Sequence, residues 1–184
     1  DADFAATGVL QGAAGSGNQA MMMAILLLYA RAHLGLDTSR PLERWTSLLL
    51  GSRNRFGFWG ATRSMSHLQF QNGYHQYEIF EYLGAGADAW PVAAAHVASL
   101  ADNDGHFAPY PGGSGCYDYD GVFMLTGAGP AVARRYEALL LRTAQAILQD
   151  RNPDGGFCES RCVRPRSVTN LRRLWQHVRG AGGA

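Results

Sequence analysis

Apolar positions along the chain follow helical spacing, and few stretches alternate with period two, so helices are expected and strands are not. Residues 18–34 carry Met, Ile, Leu and Tyr almost without interruption, which predicts a helix buried on most sides. Residues 41–51 open on Pro41 and place Leu42, Trp45, Leu48 and Leu49 on one face, an amphipathic helix with Pro in its first turn. Tyr74 to Leu83 predicts a second buried helix ending at Gly84, a residue suited to a left-handed C-cap. Pro91 opens another over Val92–Leu100. Gly121–Leu125 and Pro130–Leu148 make the next pair, and Val168–Val178 the last.

A turn recurs between these helices, at Asn54-Arg55-Phe56-Gly57-Phe58, Asn103-Asp104-Gly105-His106-Phe107 and Asn152-Pro153-Asp154-Gly155-Gly156-Phe157. The closing Phe residues fall 49 and then 50 positions apart, and Asp3-Phe4 reads as the worn edge of an earlier copy. Asn, Asp and Gly in such clusters supply positive φ and self-capping side chains, so each stops a helix sharply. Two helices per fifty residues is the arrangement of stacked hairpins, with the more apolar helix inside and the amphipathic one outside. About three and a half units fit, in one expected domain over residues 1–184, an open row or a piece of a longer chain.

Composition changes this picture little. Net charge is +1, which invites neither nucleic acid nor an anionic membrane. All basic residues are Arg, as in a GC-rich coding sequence. The longest apolar run, Ala20–Ala30, is too short to span a bilayer, and no basic segment precedes it as a secretory leader requires. A cytoplasmic location is the mild expectation. The chain starts at Asp1 without Met, which fits a trimmed or longer precursor. Three cysteines, Cys116, Cys158 and Cys162, make no disulfide framework. Cys158 and Cys162 lack the second pair that a zinc site needs, so no cofactor is expected and ligand spacing does not support a divalent metal. The Gly12–Gly17 loop has no Lys and no preceding strand, which excludes a phosphate-binding P-loop.

Candidate chemistry gathers where inner helices begin. In Gln71-Asn72-Gly73-Tyr74-His75-Gln76-Tyr77-Glu78, Tyr74 and Glu78 share one helical face, and His75 is a group able to act as acid or base near neutrality. The plainer alternative makes Asn72 a helix cap and the His–Tyr pair a local hydrogen bond. In Cys116-Tyr117-Asp118-Tyr119-Asp120, two carboxylates open a helix, where the dipole and capping account for one better than for two. Asn18 and Gln19 occupy the matching place in the first unit. The expected catalytic residues are therefore His75, Asp118, Asp120, Tyr74 and Glu78, with Asn18, Gln19, Asn72, Tyr77, Tyr117 and Trp59 contacting substrate. The basic C-terminal residues Arg161, Arg164, Arg166, Arg172, Arg173 and Arg179 read as a solvated face, a contact with further protein, or an anion-binding group.

Over roughly residues 50–184 these turns resemble the α/α toroid of terpenoid cyclases and protein prenyltransferases. The best local match is Gln149 to Phe157, similar to the Gln…Asp-Gly-Gly-Phe/Trp turn between an outer and an inner helix. The resemblance implies an isoprenoid-type substrate and carboxylate-assisted chemistry, with tyrosines and Trp59 stabilising cations. The family's D-x-D-D acid motif is here Asp118-Tyr119-Asp120-Gly121, with Gly in fourth place. Cys116, Asp118 and His75 are the residue types of the prenyltransferase zinc site, in a different order and spacing. Glycan-cleaving α/α rings share the turn, so a polysaccharide lyase or glycoside hydrolase is the alternative, and a non-catalytic repeat scaffold the third. The expected partners are a small-molecule or glycan substrate, and a further chain or subunit completing the ring.

Overall fold

The computed structural model describes residues 8–60, 66–110 and 115–158. Among them every regular element is helical: α1 (Ser16–Leu34), α2 (Ser39–Gly51), α3 (His67–Leu83), α4 (Trp90–Ala98), α5 (Gly115–Gly127), α6 (Pro130–Arg135) and α7 (Glu137–Gln149). Val168–Val178, Asp3-Phe4, Cys162 and the C-terminal arginines lie outside the described residues. No helix in the described part is long and apolar enough to cross a membrane.

Helices α1, α3 and α5 stand in a row. α3 packs against α1 on one flank and α5 on the other, while α2 lies against α1, and α4 and α7 lie against α5. Behind the row Trp45, Phe58, Trp59, Tyr77, Phe80 and Trp90 form a continuous aromatic core. Gly35 and Gly84 close α1 and α3 in the left-handed conformation, with φ of 66° and 65°.

Four expectations are revised. α3 begins at His67, not near Asn72, because Ser66 and Gln69 form a reciprocal capping box that extends the helix by about two turns. α5 likewise begins at Gly115, so Asp118 and Asp120 lie within the helix. α1 is not buried on most sides. Its small residues Gly17, Ala20 and Ala24 are buried, while Met22, Ile25, Leu26 and Tyr29 are 40–58% exposed. Gly17 explains the close approach: a Cβ there would lie 2.3 Å from the Asn72 carbonyl oxygen. The 130–148 stretch also divides, with Tyr136 leaving helical geometry between α6 and α7.

The turns repeat in backbone detail, one residue away from the register of their Phe residues. The amide of Asn54 donates to Phe58, of Asp102 to His106, and of Asn152 to Gly156, at 2.7, 2.8 and 2.7 Å. Three residues after each opener stands a glycine at positive φ: Gly57, Gly105 and Gly155. Trp59, Phe107 and Phe157 are therefore the equivalent aromatics, and Phe58 matches His106. Phe58 fills the space over Gly73 of α3, and Phe107 the space over Gly121 of α5. A Cβ on either glycine would meet the ring at 2.1 and 2.5 Å. Gly73 and Gly121 each stand nineteen residues after their turn opener, although the rings seated on them, Phe58 and Phe107, stand four and five residues after theirs.

Candidate functional site

That correspondence pairs Asn72 with Asp120, each eighteen residues after its opener. Asn72 is a cross-brace: its Oδ1 accepts from the Gly17 amide at 3.2 Å and its Nδ2 donates to the Ala13 carbonyl at 2.8 Å. This works because α1 starts at Ser16, which leaves the Gly17 amide outside the helical ladder. α3 starts earlier in its unit, so the matching Gly73 amide is already inside the ladder. Asp120 reaches the same place and finds no such donor. It is 1% exposed, and neither carboxylate oxygen makes a well-formed hydrogen bond.

The group turned toward Asp120 is the Tyr74 hydroxyl. Burial pushes the Asp120 carboxyl up to about 8, the Tyr74 hydroxyl offsets only part of this, and the negative charges of Glu78 and Asp118 add to it. At neutral pH Asp120 is thus mostly a protonated acid. Burial, together with the charges of Asp120 and Glu78, also keeps the Tyr74 phenol from ionising. The Tyr119 phenol is pushed up by partial burial and by the same two carboxylates, with Glu78 the nearer influence.

Tyr74 and Glu78 project, one helical turn apart, into a groove of about 650 Å³ between α1 and α3. Met21, Ile25, Leu28 and Tyr29 form its α1 wall, and Ile79 and Tyr82 continue the α3 wall. The groove opens onto the exposed apolar residues of α1. Tyr74 and Glu78 are thus its polar groups, with Asp120 buried behind Tyr74, and the rest is a hydrocarbon and aromatic trough.

The other expected site residues divide. His75 is buried, its ring tilted against that of Tyr74 with centroids 4.0 Å apart, and its Nδ1 is 3.6 Å from Glu78, beyond hydrogen-bond reach. It stands beside the site. Asp118 has both oxygens engaged, by the Phe107 amide at 2.8 Å and His106 Nδ1 at 2.7 Å. Trp59 and Tyr77 belong to the core: Trp59 Nε1 donates to the Leu49 carbonyl and the Tyr77 hydroxyl to the Gly57 carbonyl. Tyr117 is half-buried against Phe70, and Asn18 and Gln19 are exposed on the first turn of α1. Cys116 is exposed near Tyr74, and no cluster suited to a metal ion occurs among the described residues. Sequence reasoning passed over Tyr119, Tyr82 and the α1 wall. The i, i+4, i+8 series Tyr74, Glu78, Tyr82 was the readable signal.

Compared with known proteins, the chain matches no protein-family model, no curated protein and no solved structure.

Proposed function

We propose that this chain forms the substrate-binding face of an α/α-toroid-type enzyme that protonates an apolar, isoprenoid-like substrate. Asp120 is the acid, Tyr74 orients it, and the trough along α1 and α3 holds the hydrocarbon. The observation that carries this reading is the buried, largely protonated Asp120 set against Tyr74, which itself lines an apolar groove. A carboxylic acid held neutral at pH 7 is poised to give up a proton, and tyrosine faces stabilise the cation that results. The side-by-side row of α1, α3 and α5, with helices behind it, supports the toroid-type arrangement.

The test incubates the full chain with a linear polyprene, its terminal epoxide and a prenyl diphosphate, and identifies products by mass spectrometry. Cyclised or isomerised product that disappears in Asp120→Asn supports the reading. Turnover that survives the substitution sinks it. The glycan alternative keeps one observation in its favour, the polar Tyr74 and Glu78 in a groove that also carries the exposed rings of Tyr29 and Tyr82. Cleavage of a polysaccharide with no action on isoprenoids decides for it.

A further inference from the structure

The third unit differs from the second at two further matching places. Sixteen residues after the turn opener, α3 carries Phe70 and α5 carries Asp118; within the turn, Phe58 is answered by His106. His106 and Asp118 are both buried, at 5% and 1% exposure, and meet at 2.7 Å. Asp118 also accepts the Phe107 amide, whose ring is seated on Gly121. The turn is held from its other side as well: Thr143 of α7 donates to the Gly105 carbonyl at 2.7 Å. The unit that carries the acid thus has a polar latch between turn and inner helix, where the unit without it has an apolar Phe70 on the helix and Phe58 seated over Gly73 as Phe107 is over Gly121.

A buried pair of this kind costs desolvation that apolar packing avoids, so stability alone gives it no advantage over the Phe58 and Phe70 of the preceding unit. Its placement offers another reason. Asp118 lies two residues before Asp120 on the same helix, and its bonds hold the first turn of α5 against the turn that precedes it. The groups that face Asp120 are Tyr74 and Glu78 from α3, and Asp118 and Tyr119 from α5. Among the described residues no titratable side chain of α4, α6 or α7 acts on it.

We propose that His106 and Asp118 are a positioning pair for Asp120, locking the start of α5 in place and keeping a negative charge beside the acid. Neither residue touches the groove. This rests on the assignment of Asp120 as the acid, but its test needs no substrate, so the two can fail separately.

The carboxyl carbon of Asp120 is followed by NMR through a pH titration of the full chain. In Asp118→Asn the midpoint is expected to fall, by less than removal of the Tyr74 hydroxyl raises it, because a like charge has been removed. A folded Asp118→Asn protein with an unmoved midpoint overturns the proposal. His106→Phe places in this turn the residue of the preceding one, and leaves Asp118 with a single partner. Exchange of the Tyr119, Asp120 and Gly121 amides is then expected to speed about tenfold, the equivalent of one lost hydrogen bond. Unchanged exchange in that variant also overturns the proposal. Failure of the acid assignment itself is read elsewhere, in turnover by Asp120→Asn.

Discussion

Asn72 and Asp120 occupy the same place in successive units, yet Asn72 holds two backbone groups of the neighbouring helix and Asp120 holds none. The difference arises in the partner. α1 begins at Ser16 and offers a loose amide, whereas the Ser66–Gln69 capping box starts α3 earlier and consumes the corresponding one. Asn72 is therefore explained by structure. At Asp120 a neutral side chain would suit the fold better, and an unsatisfied buried carboxyl persists where something other than stability retains it.

The sharpest way to break the comparison is to make Asp120 resemble Asn72. Asp120→Asn keeps the shape and removes the ionisable proton. Turnover of any substrate protonated here is expected to fall at least about a hundredfold, the usual contribution of a general acid. The fold should be unharmed at neutral pH and more resistant to unfolding in alkali. Loss of activity together with loss of structure, seen by circular dichroism, would refute the division of labour proposed for the two positions.

A second prediction follows from the sign of the Asp120 shift. Its folded-state value is raised from 3.8 to about 8, so the native state holds the proton more tightly than the unfolded chain. The contribution is fully present below about pH 4 and is lost as pH rises through about 8. Over that window the wild-type protein should lose on the order of a few kcal/mol relative to Asp120→Asn. Urea unfolding at several pH values gives the difference directly. A flat difference contradicts the buried acid.

Next in size is the reverse exchange. Asn72→Ala strands the Gly17 amide and the Ala13 carbonyl, at a cost of about 1–3 kcal/mol. Asn72→Asp keeps the acceptor for Gly17 but sets a buried carboxylate against the Ala13 carbonyl, so at neutral pH it should cost at least as much as Asn72→Ala. If Asn72→Asp unfolds at the wild-type urea concentration, the brace does not depend on the donor to Ala13.

These pairings show where sequence was readable and where it was not. Glycine C-caps at Gly35 and Gly84 act within a few residues, and Gly84 is legible from its position after an apolar run. The capping box at Ser66 is equally local, but it sits ahead of a mixed polar stretch that carries no clear apolar period, so the start of α3 was set too late. Exposure of Met22, Leu26 and Tyr29 depends on which helices flank α1, which no property of residues 18–34 encodes. The acid itself was visible as a residue type, within a group of five catalytic candidates. Its separation from Asp118 required the true turn openers, Asn54 and Asp102, and the sequence pairs Asn54 more naturally with Asn103. Trp59 and Tyr77 looked like cation-stabilising aromatics; burial of their polar atoms on backbone carbonyls assigns them to the core.

The smallest effect tests the contact that links the two inner helices at the site. The Tyr74 hydroxyl favours the charged form of Asp120, against the larger opposing effect of burial. In Tyr74→Phe the ring still meets Phe123, at a centroid distance of 6.5 Å in the wild type, so packing changes little. Loss of the donor should move the Asp120 midpoint upward from about 8 by up to roughly one unit. A raised midpoint carries the alkaline loss of stability with it, to higher pH. The same carboxyl titration used for Asp118→Asn reads both shifts, and they are expected in opposite directions: the lost charge lowers the midpoint and the lost donor raises it. Movement of both variants in one direction would mean that a general loosening of α5, and no specific neighbour, governs the acid.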